Sequence, residues 1–366
     1  MTIWKCCICA GLFLLLALTL PAAGVEIAVN PDPVLLAPGE GAQYLNFDFL
    51  VRNTGEEALV ILNVRVTAFD AKGALVTRRE INTMGMRPSI ATLGVTEFPP
   101  GAMTVVLNPF HSFPARMPLA ELRYELEFTP KESEGDIRAE VTVRPVPFKP
   151  KTALRLPLDG RVLVSDGSDF YAHHRRVDLG HPFLAKLGMT HNPTRHGMDF
   201  MVADAGGRTH AGAGARLEDY FIFGRPILAP AAGTVADCID GRPDNPIGKF
   251  GVDYDELMRT KNGRLLGGNY IVLDHGNGEV SFFAHMKNRS VKVRKGDRVQ
   301  AGQALGLVGN SGDSFEPHLH YQLQSGTAFD VETLPAVFRK YWRYSGSSRE
   351  KVKVGAVDTG DIVENR

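Results

Sequence analysis

The 366-residue sequence predicts a mainly β protein with two domains, the first of them an immunoglobulin-like β-sandwich. Short segments in which apolar and polar residues alternate, such as residues 122–128, indicate half-buried strands. Later in the chain, glycine-rich turns separate short apolar runs, which is typical of hairpins. The length is too great for one small hydrophobic core, so we expect two cores.

Residues 1–24 predict a secretory signal peptide. Lys5 precedes an apolar run at residues 12–18, and small residues follow Pro21. This run is too short for a permanent membrane span, so we expect an exported protein, periplasmic or extracellular, and not an integral membrane protein. Only Cys238 would remain after cleavage, which leaves the mature chain without an internal disulfide.

Residues 25–146 predict the sandwich domain. Segments 62–68, 122–128 and 137–143 alternate between apolar and polar residues, and turn residues lie between such segments. This part of the sequence has no cluster of catalytic residue types. We expect the domain to position the rest of the protein or to bind a protein partner, and the sequence does not separate these roles from that of a spacer.

The charge balance argues against some partners. Lysine and arginine total 41 residues and aspartate and glutamate also total 41, so nothing indicates binding to nucleic acid or to an anionic membrane. A proline-spaced connector at 146–151 marks the boundary to the second domain, which we place at residues 147–344. Within it, residues 331–341 predict a short helix. Residues 345–366 are polar and predict a loosely held tail.

The pair His318 and His320 is the strongest functional signal in the sequence. Residues two apart on a strand point to the same face, so both imidazoles project together. Paired imidazoles are common zinc ligands, and a histidine beside a metal can also handle protons. Upstream, residues 269–274 predict a strand that enters a tight turn, and residues 281–286 predict the returning strand, which ends near His285.

Together these segments resemble the lysostaphin/LytM-type zinc metallopeptidases, which cut peptide bonds in bacterial cell-wall peptidoglycan. The matching parts are residues 225–235, the hairpin that ends at His285, and the glycine-rich block 293–323 that contains the histidine pair. The resemblance implies an antiparallel β peptidase domain, one Zn²⁺ ion as cofactor, and peptidoglycan stem peptides or another peptide as substrate.

The family uses three protein ligands for zinc: a histidine, an aspartate and the second histidine of the pair. Asp199 matches the aspartate, and His320 matches the second histidine. The first histidine commonly lies four residues before the aspartate, where this sequence has Arg195. His285 and His318 match the two family histidines that flank the reacting water and the scissile carbonyl, so the resemblance implies that they are catalytic.

Two neighbours of Arg195 could replace the missing ligand. His196 lies three residues before Asp199, so on a regular strand it would point to the opposite face. His191 lies in a loop that Pro193 favours, and the loop could bring its ring to the metal. We therefore expect His191, Asp199 and His320 to hold zinc. His173 and His174 are a further source of the ligand, although a basic surface turn is the favoured interpretation there.

The sequence thus predicts a zinc-dependent endopeptidase that hydrolyses peptide cross-links of peptidoglycan. Two other functions fit the same residues: a zinc peptidase with a protein or peptide substrate, and a metal-poor protein that binds the cell wall or regulates a hydrolase without catalysis. Two glycine-rich segments, about 203–220 and 240–268, are expected to wall the active-site groove.

Overall fold

The computed structural model of the protein describes residues 24–366, and the predicted signal peptide lies almost wholly outside the described residues. Most regular structure is β, which confirms the predicted fold class. Among the described residues, no helix has the length and apolar character that a membrane crossing requires.

The N-terminal half is built from strands alone, apart from a 3-10 helix at Ser89–Leu93. Its strands are β1 (Val25–Asn30), β2 (Leu35–Pro38), β3 (Ala42–Tyr44), β4 (Asp48–Asn53), β5 (Leu59–Phe69), β6 (Leu75–Asn82), β7 (Glu97–Phe98), β8 (Met103–Leu107), β9 (Ser112–Pro114), β10 (Glu121–Pro130), β11 (Ile137–Val143) and β12 (Val146–Pro147).

Two antiparallel sheets face each other across one core in this half. One has the strand order β1-β4-β8 and the other β11-β10-β5-β6, with β7 paired to β5. Phe47, Phe49 and Tyr124 meet edge to face in this core. A third sheet, with the order β12-β2-β3-β9, completes the half. A sandwich-like packing of sheets is therefore present, and its immunoglobulin-like topology stays a prediction.

The second half adds thirteen strands, two short α-helices and three 3-10 helices within residues 150–366. They are β13 (Val162–Asp166), β14 (Met198–Met201), β15 (Pro226–Leu228), β16 (Gly233–Ile239), β17 (Asn269–Asp274), β18 (Val280–Met286), β19 (Arg298–Val299), β20 (Ala304–Leu307), β21 (Leu319–Gln324), β22 (Thr333–Leu334), β23 (Phe338–Ser345), β24 (Ser348–Gly355), β25 (Ile362–Asn365), α1 (Pro182–Leu187), α2 (Tyr254–Thr260), and 3-10 helices at His173–Arg175, Leu217–Asp219 and Gly263–Gly267.

One large sheet organises this half, with the order β19-β16-β17-β18-β21-β14-β13-β25-β23-β24 and β22 paired to β21. The predicted hairpin is present as β17 and β18, which pair antiparallel through the turn after Asp274. A second core, separate from that of the N-terminal half, packs between this sheet and the smaller β15-β20 pair. The domain limits remain a prediction, although the two cores agree with two domains.

Two local predictions were wrong. Residues 331–341, expected to be a helix, contain β22 and the start of β23. The polar residues 345–366, expected to be a loose tail, form β24 and β25, which pair with β23. The side chain of Asn365 also hydrogen-bonds the backbone of Leu156 and Leu158. Long-range pairing therefore overrides the local polarity of this segment.

The role of the last strand can be tested with two valines. Val363 in β25 is fully buried, whereas Val354 in β24 is 53% exposed. Val363→Ala should lower the free energy of unfolding of the full chain by roughly 1–3 kcal/mol, because it leaves a gap in the core. The matched change Val354→Ala should alter it by less than about 0.5 kcal/mol in the same urea titration. Equal small effects would show that the C-terminal strand does not pack on the core.

Candidate metal and catalytic site

Two adjacent strands bring Asp199 and His320 together. Strands β14 and β21 are antiparallel, and Asp199 lies directly opposite His320 in their register. Residues opposite each other in such a pair project from the same face of the sheet. Asp199 Oδ1 lies 3.1 Å from His320 Nδ1, and both residues are buried.

His174 completes a triangle with these two groups. It lies in the 3-10 helix His173–Arg175, which follows β13, the neighbour of β14 in the sheet. His174 Nε2 lies 3.0 Å from His320 Nδ1 and 3.4 Å from Asp199 Oδ1. Three potential ligand atoms from three segments therefore meet within one small volume.

The hydrogen bonds around His320 fix its tautomer. Gln324 Nε2 donates to the backbone carbonyls of Gly326 and Ala328, which can only accept. Its Oε1 therefore accepts from Gln322 Nε2, at 3.0 Å, and Gln322 Oε1 faces His320 Nε2, also at 3.0 Å. His320 must then carry its proton on Nε2, so Nδ1 presents a lone pair to the triangle.

An acidic residue orients His174 in the same way. Asp166 Oδ2 lies 3.1 Å from His174 Nδ1 and 2.7 Å from His173 Nδ1. Burial acts to raise the pKa of the Asp166 carboxyl, but its contacts with the two histidines hold this pKa below its usual range. An ionised Asp166 places the proton of His174 on Nδ1 and leaves Nε2 with a lone pair. Such carboxylate–histidine pairs are typical behind metal ligands.

These three atoms fit a metal ion. Two imidazole lone pairs and a carboxylate converge at 3.0–3.4 Å, an arrangement that repels itself unless a cation lies among them. Tetrahedral zinc with nitrogen and oxygen ligands at 2.0–2.1 Å would space its ligands by about 3.3 Å, close to these separations.

The protonation states of these groups also suit a metal. Burial lowers the pKa of His174, which favours the neutral imidazole that a metal ligand needs. Burial acts to raise the pKa of Asp199, but the surrounding histidines hold it well below its usual range.

His285 and His318 lie beside the triangle. His318 Nε2 lies 3.6 Å from Asp199 Oδ1, and its Nδ1 is 2.9 Å from the Glu316 carbonyl. His285 Nδ1 is 2.8 Å from the Ser311 carbonyl. Each carbonyl accepts a hydrogen bond, so the proton sits on Nδ1 and Nε2 is free to accept. Burial, reinforced by His318 and His320, holds the pKa of His285 well below its usual range.

A local backbone irregularity turns His285 towards this site. In the β18–β21 pairing Ala284 lies opposite His320, so a regular strand would direct residue 285 to the other face. The φ of His285 is +59°, a left-handed conformation that is uncommon for a residue other than glycine. The ring consequently lies 4.7 Å from the ring of His318, measured between centroids. Such conformations cluster at functional sites.

The structure does not bring the expected first ligand to this cluster. His191 Nδ1 contacts Thr190 Oγ1 at 2.9 Å and lies 3.5 Å from Asp330, because Asp330 also binds the backbone amide of His191. His196 is buried, and its Nδ1 lies 3.1 Å from the Thr333 carbonyl. Burial and the nearby charge of Arg195 lower its pKa to about 3. Of these histidines, it is His174 that lies beside Asp199 and His320.

The structure brings Asp199, His285, His318 and His320, all named from the sequence, into one cluster, and their roles stay predictions. The sequence did not favour His174. The only local signal was the His173–His174 pair, which also suits a surface turn. Its position depends on the pairing of β13 with β14, where Asp166 lies opposite Asp199. Local spacing does not reveal that pairing. The supporting groups Asp166 and Gln322 were missed for the same reason.

Two clefts meet at the histidine cluster. One, of about 310 Å³, has mainly apolar walls that include Phe183, Tyr254 and Phe329. The other, of about 580 Å³, has mixed walls that include Phe250 and Glu316. Both are lined by His173, His174, His285 and Asp313. The two clefts therefore share part of the histidine cluster as a common wall.

Segment 240–268 supplies side chains to both clefts, as predicted. Within the described residues, segment 203–220 supplies no side chain that lines them.

Comparison with known proteins identifies the family of this region. Residues 218–331 match the model of Peptidase family M23, so the chain contains an M23 peptidase domain there. This confirms the resemblance to the lysostaphin/LytM-type enzymes. The matched range contains His285, His318 and His320, whereas His174 and Asp199 precede it.

Curated relatives match over short stretches. Peptidoglycan DD-endopeptidase ShyA of Vibrio cholerae serotype O1 is 45% identical over 67 residues, which is 18% of this chain and 15% of ShyA. Murein hydrolase activator EnvC of Escherichia coli K12 is 37% identical over 57 residues, 16% of this chain and 13% of EnvC. This chain thus spans less than a fifth of either relative.

Among solved structures, a zinc containing peptidase from Vibrio cholerae is 13% identical and aligns over 85% of this chain and 83% of that chain. Its TM-score is 0.28, which supports no inference about the fold.

The identity of the first ligand can be tested by metal binding. His174→Ala should abolish tight binding of Zn²⁺, because it removes one of three converging lone pairs. His191→Ala should leave the affinity within about twofold, because its ring binds Thr190 and Asp330 instead. Titration of both metal-free variants against a chromophoric chelator measures the affinities. Zinc loss only in the His191 variant would contradict the assignment.

The tautomer argument makes a second prediction. Gln322→Met removes the acceptor for His320 Nε2 and allows the proton to move to Nδ1, so zinc affinity should fall by about 10–100-fold. Gln43→Met is a matched control, because Gln43 is a buried glutamine that hydrogen-bonds Pro114 and Met117 far from the cluster. The control should retain wild-type affinity in the same chelator titration. An unchanged affinity of Gln322→Met would show that the amide chain does not control His320.

Proposed function

We propose that this protein is an exported, zinc-dependent endopeptidase that hydrolyses the peptide cross-links of bacterial peptidoglycan. The observation that carries the proposal is the convergence of His174 Nε2, Asp199 Oδ1 and His320 Nδ1. These atoms lie beside two further histidines within reach of the same groove. The M23 domain and the name of ShyA support the choice of substrate.

His174, Asp199 and His320 would hold the zinc ion. The donor set is two neutral imidazoles and one carboxylate, which suits Zn²⁺ and leaves room for water or substrate. Bound zinc supplies Lewis acidity, which polarises a carbonyl and lowers the pKa of water. Asp166 and Gln322 hold the two imidazoles in the tautomers that such binding needs.

The flanking histidines can manage the protons of peptide hydrolysis. His318 Nε2 has a free lone pair directed towards Asp199, so it can accept the proton of an attacking water. His285 Nε2 is likewise free, because its Nδ1 proton is held by the Ser311 carbonyl. A protonated ring at either position can stabilise the developing oxyanion or pass a proton to the departing amine.

The groove suits an extended peptide rather than a small compact ligand. Its two clefts share His173, His174, His285 and Asp313 as lining residues, so a peptide bound in both would pass over the histidines. Export through the predicted signal peptide would bring the enzyme to peptidoglycan, whose cross-links are peptides. Another peptide substrate would occupy the same clefts and is distinguished by the digestion described below.

A non-catalytic role in hydrolase regulation is the second candidate, and the observation that favours it is the similarity to the activator EnvC. A purely regulatory groove has no need of oriented imidazole lone pairs around a buried carboxylate. Here the chain holds His174, His285, His318 and His320 by specific hydrogen bonds or carboxylate contacts. This arrangement favours the enzyme.

Removal of the flanking histidines should separate chemistry from metal binding. His318→Ala should retain zinc but lower the turnover of cross-linked peptidoglycan by roughly a hundredfold or more, because it removes the general base. His285→Ala should cause a loss of similar order, and the two losses should be less than additive because both act on one transition state. Chromatography of muropeptides released from purified sacculi measures the rates.

His191→Ala is the control for these variants, because it removes a histidine outside the cluster. It should digest sacculi at the wild-type rate. If the zinc-loaded wild type releases no new amino termini from sacculi but cleaves an unrelated peptide, the peptidase stands and the substrate assignment fails. If it binds zinc and cleaves neither, the regulatory role is favoured.

A further inference from the structure

Asp48 of the N-terminal half is buried against two arginines of the catalytic half. It lies at the start of β4, and its side chain is 1% exposed. Its Oδ1 accepts from Arg175 at 2.6 Å and its Oδ2 from Arg195 at 2.5 Å. Both guanidinium groups are fully buried. This is a two-armed ionic contact between the halves, with one carboxylate shared by two cations.

Each arginine belongs to a segment that shapes the metal centre. Arg175 follows His174 directly in the 3-10 helix, and it also donates to the Phe47 carbonyl at 2.6 Å. Arg195 ends the loop whose Asn192 and Thr194 side chains donate to the His174 carbonyl, both at 3.1 Å. Asp48 therefore fixes the segment that carries the ligand and the loop that holds its backbone.

The remaining contacts of Arg195 extend the same network. It donates to Glu332 Oε1 at 2.8 Å and to Asn30 Oδ1 at 2.8 Å, so it also connects both halves. Arg195 occupies the position where the enzyme family commonly has its first zinc-binding histidine. In this chain His174 lies beside Asp199 and His320 instead, and Arg195 bonds Asp48 of the N-terminal half.

The positions of Arg175 and Arg195 depend on the negative charge of Asp48. Two buried guanidinium groups that share one carboxylate would repel each other without it, and water has no access to compensate. Glu332 forms an ion pair with Arg195, and its charge also acts on Arg175, whose side-chain bonds in the described structure go to Asp48 and Phe47. Neutralising Asp48 should therefore displace the Arg175 segment, and His174 with it.

We infer that Asp48 is a positioning residue for the metal centre, and that the N-terminal half is a fixed part of the catalytic unit. This inference rests on the proposed zinc endopeptidase function. The N-terminal half would then be more than a passive spacer. Without the carboxylate of Asp48, His174 Nε2 would not be held beside Asp199 and His320.

The test compares Asp48→Asn with wild type in the full chain. The change preserves size but removes the charge, and zinc affinity should fall by at least about tenfold in a chelator competition. The absorption spectrum of the cobalt-loaded protein should also change, because it reports the ligand geometry. The matched control is Tyr44→Phe, which removes the contact of Tyr44 with Asp358 between the same halves without touching the His174 segment. The control should keep wild-type affinity and spectrum.

A second variant covers the case in which Asp48→Asn does not fold. Arg175→Lys keeps a cation for Asp48 but cannot also reach the Phe47 carbonyl, so zinc affinity should fall in the same direction by a smaller factor. A folded variant at either position with wild-type affinity and an unchanged cobalt spectrum would overturn the inference, even if its melting temperature fell. Absence of zinc binding by the wild type would instead refute the proposed function.

Discussion

The site depends on one electrostatic constraint: two imidazole lone pairs are held close to each other and to one buried carboxylate. His174 Nε2 and His320 Nδ1 lie 3.0 Å apart and both face Asp199. Without a cation this arrangement is repulsive, and with one it is a ligand set. The surrounding hydrogen bonds maintain it, because Asp166 and the Gln322–Gln324 amides hold the protons on the outer nitrogens. The architecture can therefore be understood as a means of keeping these lone pairs together.

The elements that meet there come from distant parts of the chain. Strands β14 and β21 supply Asp199 and His320 from the centre of the large sheet, where both strands are paired on two sides. The end of β18 supplies His285, which is buried, and the residue before β21 supplies His318, which is partly exposed; both lie beside the groove. The helix segment that carries His174 has no strand partners of its own. Its position is set by the loop at residues 192–196 and by the N-terminal half, which makes the domain contact part of the chemistry.

Sequence reasoning succeeded where local periodicity decides the geometry. The alternation of residues predicted the strands, and the spacing of His318 and His320 placed both on one face. It failed at residues 331–341, where a local helical pattern lost to pairing of β23 with β24 and β25. It also favoured His191 over His174. The position of His174 depends on the pairing of β13 with β14 and on the contacts of Arg175 and Arg195 with Asp48, and both join residues that are distant in sequence. No local pattern reveals that a carboxylate from another domain anchors a ligand segment.

The most direct measurement is the anomalous scattering of crystals of the zinc-loaded full chain, recorded on both sides of the zinc absorption edge. The ligand triangle predicts one strong peak at about 2.0–2.1 Å from His174 Nε2, Asp199 Oδ1 and His320 Nδ1. A peak bound by His191 or His196, or no peak at this cluster despite full zinc loading, would contradict it.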